Sequence, residues 1–319
     1  MSMKLKCTVM LFLAAGLIFS GPAAAKTYTI GVSISQTRPA MTAAQKGFAK
    51  ALAEAGLAAN YDRQDAQGDA AGAEAIAEKF AADKVDLVHA VGLVSAQAAA
   101  KRVKQVPVVY SSVRDPVGAG IVPSMAAAGG NITGVSNAWP IAEQVAQFHQ
   151  ILPTAKKWGT IYSTTDPFMA PAIDKMRETM QQKGLELTAV IVQTYDEIDD
   201  AAESLVGKVD AFFIPADHMV AKEFGSIGSV CAENKIPLFS GFPTQITRGA
   251  AVAMGVDAFQ VGYSAGRKAV RILKEGKQAG ELPSSGSEHL IMYISLKNAK
   301  KQGLQIPEKF IQAADRVFK

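Results

Sequence analysis

Polar side chains recur at the carboxyl ends of the strands that the sequence predicts. In open parallel sheets, ligands bind beyond these strand ends, where loops present side chains and helices present free N–H groups. The residues predicted to bind a ligand on this basis are Ser35, Gln36, Leu93, Ser95, Ser111, Ser112, Arg114, Asp115, Thr164, Thr165, Phe168, Asp217 and Phe242. A single Ser, Thr or Asp among them could equally cap a helix or form a turn. Their recurrence at successive strand ends favours a binding site.

The chemistry of this set is that of binding rather than catalysis. Hydroxyl groups are frequent and strong bases are few. These residues could therefore bind a polar ligand, but they offer few groups for acid–base catalysis. Phe168 and Phe242 follow strand ends, where an aromatic ring can close on an apolar ligand. Phe212 and Phe213 lie within a predicted strand and are expected in the core.

One pattern offers a catalytic alternative. Gly262-Tyr263-Ser264-Ala265-Gly266 fits the G-x-S-x-G pattern of a hydrolase nucleophile elbow, which requires a strand running directly into the serine. Here apolar and small residues recur at helical spacing through the pattern, so Ser264 is predicted in mid-helix and the two glycines in close helix packing. An exported serine hydrolase using Ser264 stays the alternative of a different class.

Cofactors and metals are not expected. The chain has no P-loop, and Gly118-Ala119-Gly120 has neither a third glycine nor a strand directly before it. The histidines lack metal-ligand spacing; they are His89, His149, His218 and His289.

Strand-like and helix-like segments alternate along the chain and would position these residues. The predicted strands are Tyr28 to Ile34, Val85 to Val91, Val106 to Val113, Ile132 to Val135, Trp158 to Tyr162, Leu185 to Val192, Val209 to Ile214, Ile236 to Phe239 and, as the last strand, His289 to Ile294. The predicted helices run from Ala40 to Gly56, Ser95 to Lys104, Pro140 to Leu152, Ala170 to Lys183, Met219 to Glu233 and Ala258 to Glu275.

This alternation predicts an α/β fold with right-handed βαβ units and parallel sheets covered on both faces. Two blocks of units predict two doubly wound lobes. We expect lobe one to comprise residues 26–137 and 257–288, and lobe two residues 138–256 and 289–319. A chain that crosses between lobes several times forms a hinge.

The N-terminus predicts a cleavable secretory signal over residues 1–25. Lys4 and Lys6 precede an apolar run from Val9 to Phe19, and small residues stand before Lys26. The apolar run is too short to span a bilayer and no later run is long enough, so no stable membrane insertion is expected.

The charge and the cysteine content of the chain limit its expected partners and its cellular compartment. The chain has 33 basic and 29 acidic residues without a basic block, so nucleic acid is not an expected partner. Cys7 lies within the signal, which leaves Cys231 alone and no internal disulfide. An exported chain without disulfides or a lipid anchor fits the periplasm, and we expect a monomer.

Several motifs together resemble one family, the periplasmic substrate-binding proteins of ABC importers in the tryptophan-type group. The motifs that carry the resemblance over nearly the whole chain after the signal are Ile30-Gly31-Val32-Ser33-Ile34-Ser35-Gln36, Ala66-Gln67-Gly68-Asp69, Asp115-Pro116-Val117-Gly118-Ala119-Gly120, Asn131-Ile132-Thr133-Gly134-Val135-Ser136, Ile214-Pro215-Ala216-Asp217 and Asn234-Lys235-Ile236-Pro237-Leu238-Phe239. The resemblance implies the type I periplasmic binding fold. It also implies capture of a small organic ligand and delivery to a permease and ATPase on separate chains.

Some site positions depart from the family pattern. Thr42 stands where Asp is common, Leu93 and Arg114 where Thr is common, and Phe242 where a small or acidic residue is usual. Fewer acids and added Phe and Arg imply a ligand that is more apolar or more anionic than the family's amino acids.

Roles for individual residues follow as a hypothesis. Arg114 would pair with a ligand carboxylate and Asp217 with an ammonium. Hydrogen bonds would come from Ser35, Gln36, Ser112, Thr164 and Thr165. A sensory receptor that presents its closed form to a membrane kinase remains the alternative among binding proteins.

Overall fold

The computed structural model describes residues 26–126, 129–166, 168–287 and 290–319 of the chain. The predicted signal of residues 1–25 and His289 lie outside the described residues. The strands are β1 Tyr28–Ile34, β2 Ala59–Asp65, β3 Leu87–Val91, β4 Val108–Val113, β5 Ile132–Ser136, β6 Lys157–Ser163, β7 Glu186–Val192, β8 Ala211–Ile214, β9 Leu238–Ser240, β10 Val252–Val256, β11 Leu290–Ser295 and β12 Arg316–Phe318. The helices are α1 Pro39–Glu54, α2 Ala70–Ala82, α3 Leu93–Arg102, α4 Ile141–Ile151, α5 Met169–Gln182, α6 Glu197–Glu203, α7 Phe224–Glu233, α8 Ala258–Leu273, α9 Leu296–Lys301 and α10 Glu308–Ala313.

The strands form two sheets, which confirms the predicted α/β class with two doubly wound sheets. The first has the order β2-β1-β3-β4-β5 and the second β12-β11-β10-β9-β8-β6-β7. Among the described strands, all neighbouring pairs are parallel except β10 with β11, so the expectation of wholly parallel sheets is wrong at this pair. The chain leaves β10 to form α8 against the first sheet and re-enters the second sheet from the same end, which reverses the direction of β11.

Each sheet is covered on both faces, as expected for parallel strands. In the first sheet, one cluster of buried side chains joins α1 and α8 to the strands, and another joins α2 and α3. In the second sheet, α4 and α5 cover one face while α6 and α7 cover the other. Phe212 and Phe213 on β8 are fully buried, one in each cluster, as predicted.

Some elements differ from the sequence prediction. The single helix expected from Met219 to Glu233 is a short 3₁₀ turn followed by α7, because the Asp217 carboxylate accepts hydrogen bonds from the Met219 and Val220 amides and fixes a separate turn. The last strand is β12, not the segment ending at Ile294. Strand β2 was not predicted, since its sequence is polar at a sheet edge.

The chain passes between the two sheets at residues 137–140 and again at Asp257. Asp257 caps α8 by accepting a hydrogen bond from the Gln260 amide at 2.8 Å. Helix α8 then packs closely on α1, where Gly262 lies against the Ala44 backbone and Gly266 against the Phe48 backbone. Within the described part of the chain, no helix is long and apolar enough to cross a membrane.

Candidate functional site

A cavity of about 730 Å³ lies between the two sheets, at the carboxyl ends of several strands. Loops that follow β3 and β4 contribute one wall, and loops that follow β6, β8 and β9 contribute the other. The predicted ligand-binding residues that line it are Leu93, Ser112, Arg114, Asp115, Phe168 and Phe242.

A β-bulge at the end of β4 sets the first wall. The register with β5 shifts between Ser111 and Val113, and Ser112 adopts a φ of 60°, a left-handed conformation that is uncommon for residues other than glycine. The Ser136 hydroxyl donates to the Arg114 carbonyl oxygen at 2.8 Å and holds the chain just after the bulge. The bulge therefore places the side chains of Ser112 and Arg114 in the cavity.

Arg114 makes contacts that join the two walls. Its Nη1 donates to Asp166 Oδ2 at 3.1 Å and to Oδ1 at 3.3 Å, and both side chains are about one-fifth exposed. Its guanidinium lies 3.8 Å from the centre of the Trp139 ring and 4.9 Å from that of Phe168. A cation close to two aromatic rings and beside a carboxylate is held by cation–π attraction and by an ion pair.

Other predicted residues lie behind this wall. The Ser35 hydroxyl accepts a hydrogen bond from the Ser95 amide at 2.9 Å, and Ser95 Oγ bonds Ser33 Oγ at 3.0 Å. Ser111 Oγ lies 2.9 Å from His89 Nε2. These buried hydroxyls connect β1, β3 and β4 beneath the cavity but do not line it.

His89 is the buried titratable group of this layer. Its ring stacks on Phe48 at a centroid separation of 3.9 Å, and burial lowers the pKa of the imidazole to about 3. The ring is therefore neutral at ordinary pH.

Three more of the predicted polar residues lie outside the cavity lining: Gln36, Thr164 and Thr165. Gln36 Oε1 accepts from the Arg38 guanidinium, and Thr165 Oγ1 lies 2.9 Å from Ser163 Oγ. Thr164 is exposed beside it. Each of these side chains lies in a loop at the edge of the cleft.

Asp217 does not fit the expected contact with a ligand ammonium. It is 1% exposed, and its carboxylate accepts from the Ser163 amide and hydroxyl and from the Met219 and Val220 amides. The carboxylate thus ties the end of β6 to the turn before α7. Its hydrogen-bonding capacity is used inside the lobe.

The cavity also has lining residues that the sequence prediction omitted: Arg38, Met41, Gln97, Asn137, Trp139, Asp166 and His218. Asp166 follows β6 and is among the residues that the strand-end rule selects. Asn137 and Trp139 follow the carboxyl end of β5, in the crossing segment between the lobes, so the strand-end rule applies to them as well.

The arrangement can bind but has little with which to catalyse. No cluster of metal-ligating side chains occurs among the described residues. Ser264 lies within α8, as predicted, and no strand runs into it. The close packing of Gly262 and Gly266 against α1 accounts for the glycines of the G-x-S-x-G pattern.

Comparison with known proteins shows similarity to one family over most of the chain. The family model of the ABC transporter substrate binding proteins matches residues 29–318. A protein named tyrosine-binding protein from Clostridioides difficile (strain R20291) is 33% identical over 284 residues, which cover 88% of this chain and 82% of that protein.

Solved structures show the same similarity. The ligand-free, open structure of a substrate-binding protein with adhesive properties from Clostridium difficile has a TM-score of 0.83 at 29% identity, covering 92% of this chain and 99% of the other. A domain from Streptococcus pneumonia in complex with L-Trp has a TM-score of 0.69 at 26% identity, covering 92% of this chain and all of the other.

Proposed function

The chain belongs to the family of ABC transporter substrate binding proteins, and on this premise we propose that it captures a small organic carboxylate between its lobes. It has the two-lobed α/β fold of the type I periplasmic binding proteins. Amino acids, aromatic acids and related carboxylates are the proposed ligands, delivered to an ABC importer. The tyrosine and L-Trp in the names of similar proteins support an aromatic or apolar ligand body.

The cavity between the lobes carries this proposal. Arg114 and Ser112 approach from the first lobe, whereas Trp139, Phe168 and Phe242 approach from the crossing segment and the second lobe. A guanidinium suits a carboxylate, and aromatic rings suit an apolar body. A ligand with both parts would contact both lobes.

Closure follows from such a ligand. Contacts to both lobes form together only when the lobes approach, so the ligand stabilises the closed state by its difference in affinity for the two states. The chain crossings at 137–140, at Asp257 and near Leu290 are the proposed hinge segments, and the proposed lobes are residues 26–137 with 257–288 and residues 138–256 with 289–319.

The surroundings of the protein are part of the proposal. We place it in the periplasm after removal of residues 1–25, as a monomer that works with a permease and an ATPase on separate chains. The family membership supports a location outside the cytoplasm. In this proposal the protein binds the ligand and delivers it to the importer, and it does not catalyse a reaction of the ligand.

A thermal-shift screen tests this function. Protein refolded from denaturant, and so freed of co-purified ligand, is mixed with amino acids, aromatic acids and other small carboxylates. A ligand raises the melting temperature because it binds only the folded state. Arg114→Ala should remove the response, whereas Arg63→Ala, an exposed arginine on β2, should keep it. A chain that responds to no small carboxylate, or whose response survives Arg114→Ala, does not have the proposed function.

A further inference from the structure

One ion pair crosses the cleft between the two sheets. Arg114 follows β4 of the first sheet and Asp166 follows β6 of the second, and Arg114 Nη1 lies 3.1 Å from Asp166 Oδ2. The other ion pairs among the described residues each join two residues of the same proposed lobe. Separation of the two sheets therefore acts directly on this pair.

Backbone contacts anchor each partner of the pair to its own lobe. The Ser136 hydroxyl donates to the Arg114 carbonyl oxygen at 2.8 Å. Asp166 Oδ1 accepts from the Phe168 amide at 2.9 Å, and the Asp166 carbonyl oxygen accepts from the Met169 amide at 2.9 Å, at the start of α5. When the lobes move apart, only the side chains of the pair are free to follow.

An aromatic ring of the second lobe adds to the contact across the cleft. The Arg114 guanidinium lies 4.9 Å from the centre of the Phe168 ring, within the range of cation–π attraction. Phe168 and Asp166 both lie on the loop between β6 and α5. Wide opening of the cleft would therefore break the ion pair and the ring contact together.

We infer that the pair of Arg114 and Asp166 is a tether that limits how far the lobes separate in the ligand-free protein. The pair forms without a ligand, so it narrows the range of cleft widths before binding. A narrower range reduces the part of the conformational change that a ligand must stabilise by its own contacts. This inference goes beyond the proposed function, because it concerns the protein before any ligand binds.

Single-molecule fluorescence energy transfer on refolded, ligand-free protein tests the tether. A helix that follows a parallel strand runs back toward the amino ends of the strands, away from the cleft. Ala82 at the end of α2 and Gln181 near the end of α5 are exposed and lie on such far sides of the two sheets. Dyes on cysteines at these two positions report the separation of the lobes, while the native Cys231 is buried and stays unlabelled.

Substitutions of the acid separate the tether from a general effect of charge. Asp166→Asn keeps the size of the side chain and removes its charge. The share of ligand-free molecules with widely separated lobes should rise roughly two- to fivefold, which is the range that a partly exposed ion pair supports. Asp199→Asn makes the same change at an exposed position of α6 and should leave the distribution unchanged.

A double-mutant cycle identifies the partner. Arg114→Gln should also widen the distribution, and Asp166→Asn should have no further effect in that background, because its partner is already absent. An unchanged distribution in Asp166→Asn, an equal shift in Asp199→Asn, or an equal effect of Asp166→Asn with and without Arg114 would overturn the tether. None of these results bears on the proposed function, which the thermal-shift screen tests with ligands present.

Discussion

Among single residues, Arg114 has contacts that fix one cationic side chain in the wall of the cavity. Its ion pair with Asp166 and its stacking on Trp139 fix the guanidinium between the lobes. Partly exposed ion pairs contribute only about 0–1 kcal/mol to stability. The importance of this pair is therefore positional, because it orients a fork of donors toward the cavity.

His89 provides a residue-scale prediction of pH dependence. Burial lowers the pKa of the folded-state imidazole from 6.5 to about 3, so the unfolded chain binds more protons between these values. The stability that the folded protein has while His89 is neutral is fully present above pH 6.5. It is lost as the pH falls from 6.5 toward 3, because the unfolded chain takes up a proton that the folded chain does not. At pH 5 this residue alone should lower the free energy of unfolding by about 2 kcal/mol relative to neutral pH.

Urea unfolding at pH 5 and pH 7 measures this effect. His89→Gln, which cannot titrate, should show a smaller difference between the two pH values than the parent protein. Imidazole NMR signals of the parent give an independent check. Parallel pH profiles for the two proteins, or a His89 signal that titrates near pH 6, would contradict the prediction.

At the scale of elements, the bulge in β4 depends on a residue that tolerates a positive φ. Ser112 has a φ of 60°, so Ser112→Gly should change the free energy of unfolding by less than about 1 kcal/mol. A β-branched side chain is strained in this region, and Ser112→Val should cost about 1–3 kcal/mol. Chemical denaturation of the two variants compares them directly. Equal stabilities would show that the bulge does not require this conformation.

The contact between α1 and α8 is a second element-scale test. A Cβ atom at Gly262 would collide with the backbone of Ala44, so Gly262→Ala should destabilise the protein by about 1–3 kcal/mol through overpacking. Gly225 in α7 has no atom within 4 Å of such a Cβ. Gly225→Ala should therefore leave stability unchanged or raise it by up to about 1 kcal/mol. Changes of the same sign and size in both variants would contradict the close packing.

For the whole molecule, we expect ligand binding to change the fluorescence of one tryptophan, Trp139. The chain has two tryptophans, of which Trp139 lines the cavity and Trp158 is 1% exposed in the core of the second lobe. A carboxylate that raises the melting temperature should change the fluorescence of the parent and of Trp158→Phe but not of Trp139→Phe. It should also reduce the radius of gyration in solution scattering. A signal that persists in Trp139→Phe would place binding elsewhere.

Much of this architecture could be predicted because its signals are local. Strand β1 was predicted at its observed bounds, since the β-branched residues Ile30, Val32 and Ile34 recur at every second position. Helix α8 was predicted to begin at Ala258, where Asp257 supplies the cap. Strand β2 escaped prediction because its polar side chains give an edge strand no apolar run.

The two-sheet α/β class and the strand ends at which a site could form follow from local patterns in the amino-acid sequence. Which polar groups line the cavity depends on how the chain folds. Asp217 and Arg114 both follow strands, yet one carboxylate is consumed by four donors within its lobe while the guanidinium reaches Asp166, 52 residues away. Periodicity is set by neighbours along the chain, whereas the partner of a polar side chain is set by the segments that folding brings beside it.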